Sequence, residues 1–239
     1  MRLAPIVLVS LLLLQACNAT PVKESTPHIS VTGSAFEEVA PDRATIFFAV
    51  VTERPSPDAA TAENAKTTKA VVDELRTQGV ESKDIQTIGV SLAPYSTEER
   101  DPRSGAIRRI QKGFRARNEL RATINSIDDT GKTARRIVDA GANSIQAIVF
   151  DLSDADQHLD KLRAEAVKNA KRQAKIYVGA IGLRLGKALE IAPEPDEGPA
   201  PQAFKARGLE AAKAADAIPI EAGRRKLTAR VTVTWALTR

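Results

Sequence analysis

The one cysteine of this 239-residue chain, Cys17, ends an apolar stretch, and its surroundings specify a chemistry. Residues 6–14 are apolar apart from Ser10, Arg2 places a positive charge ahead of them, and Leu14-Gln15-Ala16-Cys17 closes the run. This is the layout of a cleavable export signal, and it is shorter than the about 20 apolar residues a membrane-crossing helix needs. Leu14 and the small Ala16 stand where a lipobox has them, so the expected product is a chain that begins at an acylated Cys17. Two or three acyl chains anchor firmly, because each buried methylene contributes about 0.8 kcal/mol and a single chain binds only marginally. Acylation also removes a lone thiol that would be reactive in an oxidising compartment. Asn18 replaces the aspartate that marks many Gram-negative lipoproteins for the inner membrane, so the expected address is the outer membrane, facing the periplasm.

The next chemistry is basic. Arg100, Arg103, Arg108, Arg109, Lys112, Arg115, Arg117 and Arg121 form one cluster, and Arg224, Arg225, Lys226 and Arg230 form a second. Two antiparallel strands would bring them together as a site for an anionic ligand, anionic head groups or an acidic partner, with Arg108, Arg109, Arg115, Arg117, Arg121, Arg224 and Arg225 as the candidate residues. The competing reading is a solvated sheet face, with Glu98, Glu99, Asp101 and Glu119 nearby. The net charge of +5 becomes +4 when Arg2 leaves with the signal, which gives no case for nucleic acid.

Enzymatic and metal motifs fail on their spacing. Thr130-Gly131-Lys132-Thr133 has the Gly-Lys-Thr of a phosphate loop, but Ser126 occupies the position of the required upstream glycine. An aspartate-capped helix start explains it better. Gly186-Lys187 follows a helical pattern and is weaker still. His28 and His158, the two histidines, have no motif partner and read as surface residues. Asp151, Asp154 and Asp156 sit at a strand-to-helix junction, where such residues cap, and supply too few ligands for calcium. No catalytic residue, metal site or cofactor is expected.

The elements that must position these residues follow from periodicity. Residues 18–27, with two prolines and no apolar period, read as a flexible tether, and the globule begins at His28. Ile29 and Val31 alternate with polar neighbours, and residues 44–52 are β-branched and aromatic enough for a strand buried on both faces. Ser56-Pro57-Asp58 opens a helix that Gly79 ends, with Ala65, Thr68, Val72 and Leu75 as its inner stripe. Strands follow at 85–93 and 113–125, then a helix from Asp128 or Asp129 to Gly141 and a strand at 145–152, a degenerate repeat of strand, helix, strand. In the second copy Phe114, Ala116, Leu120, Ala122 and Ile124 face the core, while Arg115, Arg117, Glu119 and Arg121 face water.

A longer helix from Asp156 carries Leu159, Leu162, Ala166, Ala170, Ala174, Tyr177 and Ile181 as its inner stripe, mostly alanine so that it can lie close. Strands at 187–192 and 227–237 follow, separated by a long loop at about 193–223. The expected architecture is α+β, a mixed or antiparallel sheet packed by about three helices.

Several short pieces, in order, carry a resemblance across residues 28–239: Ile29-Ser-Val-Thr-Gly33 with Pro41-Asp42, Asp84-Ile-Gln-Thr87 with Ser91-Leu-Ala-Pro-Tyr95, and Gly113-Phe-Arg-Ala116. Then come Ala140-Gly-Ala-Asn143, Phe150-Asp-Leu-Ser-Asp154 and Pro219-Ile-Glu-Ala-Gly223 before Val231-Thr-Val233. In these the chain resembles the SIMPL-domain family, a domain of unknown function found in periplasmic immunogenic proteins and in proteins linked to oxidative-stress defence. The resemblance implies an α+β fold and ring-like or channel-like oligomers. Two features depart from it: the lipobox, where many relatives have a plain signal, and Arg224-Arg225-Lys226, where relatives often have an acidic or glutamine-bearing turn. The resulting expectation is a non-enzymatic, oligomeric envelope lipoprotein that supports envelope integrity or stress tolerance. A module for an anionic ligand is the alternative, and an envelope hydrolase using His28 or His158 comes third.

Overall fold

A computed structural model describes residues 26–103, 105–195 and 218–239. The signal segment, Cys17, the tether up to residue 25 and most of the 193–223 loop lie outside the described residues.

The first layer is a four-stranded antiparallel sheet in the order β3-β4-β2-β5, built from β2 (Arg43–Arg54), β3 (Ile85–Arg100), β4 (Ile107–Ile124) and β5 (Ser144–Asp151). Helices α1 (Pro57–Thr77) and α2 (Ile127–Asp139) cover one of its faces. The two strand-helix-strand copies are therefore interleaved, each inserting a strand between those of the other, which is the split βαβ arrangement of ferredoxin-like folds. Phe48, Ile46, Leu120, Val71, Leu75 and Ile137 fill the core between sheet and helices. Residues Ala44, Ile46, Phe48 and Val50 of β2 are buried beneath the helices, whereas Phe47 and Val51 on its other face are only half-buried. The strand is thus less enclosed than its composition implies: on that second face only Ala49 is fully buried, and among the described residues no helix or second sheet packs over it.

The second layer is a three-stranded antiparallel sheet in the order β1-β7-β6, from β1 (His28–Val39), β6 (Arg184–Pro193) and β7 (Arg225–Thr238), with α3 (Ala155–Ala180) packed on it. The first and last strands of the domain pair over twelve residues, from His28↔Ala236 to Val39↔Arg225. On the face away from α3, hydroxyls pair across the strands, Ser30 with Thr234 at 2.8 Å and Thr32 with Thr232 at 2.7 Å.

Two stripes and two sets of boundaries differ from the expectation, each for a physical reason. In α1 the buried residues are Ala60, Asn64, Thr68, Val71 and Leu75, and Ala65 is exposed. Asn64 is accommodated inside because its Nδ2 donates to the carbonyls of Val50 at 2.9 Å and Ala116 at 3.2 Å, while Thr68 donates to its Oδ1. In α3 the stripe is Leu162, Ala166, Ala170, Ala174 and Val178, and Tyr177 and Ile181 are exposed. Four-residue steps overshoot a full turn by about 40° each, so a row of alanines following one ridge winds away from the 3.6-residue average and ends on Val178.

Strands β3 and β4 run on past the expected ends into a hairpin arm. From Ser96 to Lys112 every described side chain except Asp101 is exposed, so no face of the arm imposes an apolar period. The start of α2 is also shifted: Ser126, not an aspartate, is the cap and accepts from Asp129 N at 3.4 Å. Gly131 lies within that helix, where a Cβ would meet the Ile218 carbonyl at 2.3 Å, and Ile218 N donates to Gly131 O. The glycine of the Gly-Lys-Thr sequence is thereby a seat for returning chain.

The closest approach in the second layer is at Gly33. A Cβ there would stand 2.1 Å from the Ala166 carbonyl oxygen and 2.5 Å from Ala170 N, both backbone atoms of α3. Gly33→Ala must push α3 off β1, with an expected loss of about 1–3 kcal/mol. Urea denaturation reads this, and an unchanged midpoint at unchanged slope would show that the contact does not constrain the helix.

Candidate functional site

The outward face of the four-stranded sheet carries the first arginine cluster, placed there by alternation along β4. Arg115 donates to Glu53 of β2 at 2.7 Å from Nε and lies 5.4 Å from the centre of the Tyr95 ring of β3. Two residues on, Arg117 donates to Glu119 at 2.6 Å, and Gln146 of β5 donates to the same carboxylate at 3.3 Å. The Arg117 hydrogen bond holds the Glu119 carboxyl below its ordinary value, so the pair is ionised at neutral pH. Arg121 is exposed, pairs in register with Phe47 and Gln86, and has no carboxylate partner among the described residues.

Arg108 and Arg109 stand on the hairpin arm, beyond this face. Register places them opposite Glu99 and Glu98; Arg109 reaches Glu98 at 3.7 Å, Arg108 reaches Asp101 at 3.8 Å, and Lys112 takes Glu99. All these groups are solvated, and such pairs contribute at most about 1 kcal/mol each. Their effect is on charge: a cluster that reads as basic along the chain is largely balanced in space.

The second cluster does not join the first. Arg225 opens β7 and donates to the Phe150 carbonyl at 3.1 Å and to the Asp151 carboxylate, which also accepts from Arg43 at 3.3 Å. Arg43 and Glu53 lie at opposite ends of β2, so about ten residues of strand, roughly 33 Å, separate Arg225 from Arg115. Arg224 is exposed without a carboxylate partner among the described residues, and Lys226 lies 4.4 Å from the Phe36 ring centre.

Arg225 belongs instead to the junction of the two sheets. Asp151 ends β5 of one sheet and is gripped by β2 of its own sheet and β7 of the other. Beside it, Asp42 N donates to the Asp151 carbonyl at 3.1 Å, and the Asp42 carboxylate accepts from Ser153 N at 2.8 Å and from the Ser153 hydroxyl. Asn143 does similar work at the other end of β5, where its side-chain amide donates to Val51 O at 2.7 Å and accepts from Val51 N at 2.9 Å, continuing the ladder one residue past the strand.

The histidines occupy framework positions. His158 Nδ1 lies 3.0 Å from Glu37 of β1 and Nε2 lies 3.5 Å from Asp154, so the ring links α3 to the edge of its sheet and is largely covered. His28 Nδ1 is 2.9 Å from the Thr26 carbonyl. Among the described residues no three His, Cys, Asp or Glu side chains gather as a metal site.

A family model described as SIMPL, protein of unknown function (DUF541), matches residues 29–235. The chain belongs to the SIMPL family. Relatives of this SIMPL protein include the 26 kDa periplasmic immunogenic protein of Brucella melitensis, 27% identical over 218 residues that cover 88% of this chain and 84% of the relative. Uncharacterized protein YggE of Edwardsiella ictaluri is 25% identical over 173 residues, 69% of this chain and 67% of the relative. Its namesake in Escherichia coli K12 is 26% identical over 167 residues, covering 69% and 65%. The SIMPL motifs Pro41-Asp42, Ala140-Gly-Ala-Asn143 and Phe150-Asp-Leu-Ser-Asp154 thus fall on the sheet junction and the strand extension, which are structural positions. Tyr95 and Glu53, the partners of Arg115, escaped the sequence reading because only cross-strand register reveals them.

The Ser153 hydroxyl hydrogen bond holds the Asp42 carboxyl below its ordinary value of 3.8. Such a group stabilises the fold fully above its unfolded pKa, and the contribution disappears as pH falls through the folded one. Ser153→Ala is therefore expected to lower stability by a constant amount from pH 7 to 5 and by a shrinking amount below about pH 4. Urea midpoints across that range check this; a difference that widens in acid has the wrong sign for the Asp42 linkage.

Proposed function

We infer that this protein is a non-enzymatic, self-associating lipoprotein of the bacterial cell envelope. It displays its SIMPL domain at the periplasmic face of the outer membrane and supports envelope integrity or oxidative-stress tolerance. The lipobox at Cys17 and the periplasmic relative support the address. The observation that carries the mode of action is the free edge of β3. Among the described residues this strand of sixteen residues is paired on one side only, and it and the arm expose Ile88, Val90, Leu92, Ile107 and Ile110. Val90 is 74% exposed beside an unpaired backbone edge. A long apolar edge is a template for another strand, and monomeric proteins ordinarily blunt it. A second copy supplies the covering strand most directly.

Use of the strand face as an anionic-ligand site would draw on Arg121, since the other candidate arginines of that face and its arm are matched by carboxylates, and Arg224 would serve only a separate site beside the sheet junction.

Two outcomes follow. The membrane-extracted protein should have an intact mass above that of the unmodified chain from Cys17 onward, and Cys17→Ser should remove the excess and release the protein from membranes. A chain of unmodified mass would remove the anchor. Light scattering of the detergent-extracted protein should give a multiple of the monomer mass, reduced by Val90→Lys with Leu92→Lys at unchanged circular dichroism. A monomer at high concentration would remove the assembly.

A further inference from the structure

The end of the second layer at which the tether enters the domain combines exposed apolar side chains with unmatched cations. The last turns of α3 expose Ile176 at 64%, Tyr177 at 54% and Ile181 at 66%, with Ala180 beside them. On a helix these four positions form one belt on the side turned away from buried Val178. Between Glu165 and Glu190 the chain has no acidic residue at all, while Lys168, Lys171, Arg172, Lys175, Arg184 and Lys187 supply six positive charges. Among the described residues Lys175, Arg184 and Lys187 form no ion pair, in contrast to the matched arginines of the strand face. Much of the charge that looks densest in the sequence is thus neutralised, whereas these three cations are left accessible.

The topology ties this patch to the lipid end of the chain. Helix α3 turns at Gly182 directly into β6, whose Arg184 pairs with Thr238 of β7. The same end of β7 pairs with His28, and Leu237 N donates to the Pro27 carbonyl at 2.8 Å. The helix end, the first residues of β6 and the point where the tether enters the domain therefore lie at one end of a three-stranded sheet. Pro27 is only ten positions from Cys17, a span that fully extended reaches about 35 Å.

We propose that the α3 end, formed by Ile176, Tyr177 and Ile181 with the cations Lys175, Arg184 and Lys187, is a membrane-docking face that seats on an anionic phospholipid leaflet. The acyl group supplies attachment and this face supplies orientation. The apolar side chains enter the boundary between head groups and acyl chains, the tyrosine keeps its hydroxyl among the head groups, and the basic side chains meet lipid phosphates. Among the described residues no helix is long and apolar enough to cross a membrane, so this contact is peripheral. The proposal rests on the lipoprotein reading for the nearness of the membrane, and the test separates the two.

The full chain carrying Tyr177→Trp is incorporated into vesicles of brominated phosphatidylglycerol or brominated phosphatidylcholine, and its acylation is read from intact mass. Trp235 is buried, so the wild type supplies the background. The expected result is loss of at least about half of the added indole's emission in the anionic vesicles, less in the neutral ones, and recovery of the emission on adding Lys175→Glu with Arg184→Glu. Acylated, vesicle-bound protein whose added indole is unquenched overturns the docking face and leaves the anchor standing. Unquenched but blue-shifted emission also overturns it, by showing that protein covers the patch. Quenching without acyl mass keeps the docking face and removes the anchor, and absence of both removes both.

Discussion

The second layer depends on how near α3 can lie to β1. At Gly33 there is no room even for a methyl group, because the helix backbone at Ala166 and Ala170 occupies the place a side chain would take. This contact accounts for the alanine row and for its four-residue step, since only a single ridge of small residues can follow the strands at that distance. It also decides what is left outside. Once Ala166, Ala170, Ala174 and Val178 are against the sheet, Tyr177 and Ile181 must point away. The apolar helix end is thus a direct result of the tight packing further back along the same helix.

The first layer obeys a different constraint, satisfaction of polar groups at places where regular pairing stops. Asn143 extends the β5 ladder, Asn64 binds two sheet carbonyls from inside the core, and Asp42 with Asp151 closes the corner where the two sheets meet. Of these Asn64 is buried, and such a group costs far more unpaired than it contributes when paired, whereas Asn143 and Asp42 act at the exposed ends of the pairing. Three of the SIMPL motifs, Pro41-Asp42, Ala140-Gly-Ala-Asn143 and Phe150-Asp-Leu-Ser-Asp154, fall at such positions. Family membership therefore says how this fold is held together, and says much less about what its surface does.

The helices, the α+β class and the alternation along β4 were legible in the sequence because each has one wet and one dry face. Legibility ended where that asymmetry did. The arm from β3 to β4 is wet all round, so its strands have no apolar period, and the interleaving of the two repeats is a property of pairing between distant segments. The arginine clusters were visible, but their carboxylate partners are set by register: Glu98 meets Arg109 because the hairpin turns where it does, and Glu53 meets Arg115 from a strand more than sixty positions away. The α3 stripe was right through Ala174 and failed at Tyr177, where an average period of 3.6 and an actual step of four diverge by enough to change the face.

The pairing of β1 with β7 imposes an order of events on the growing chain. These strands make contacts about 200 positions apart, such as that between Ser30 and Thr234, so the strand synthesised first has no partner until the last one exists. The interleaved unit in between, from β2 to β5, has its strands and helices at much shorter range and can collapse earlier. For that interval β1 is an unpaired strand with both edges open, and α3 has only a partial surface to rest on. Closing this ring of sequence is the slow, late step of the topology, and it is the step at which the half-made domain is most exposed to capture by a neighbour.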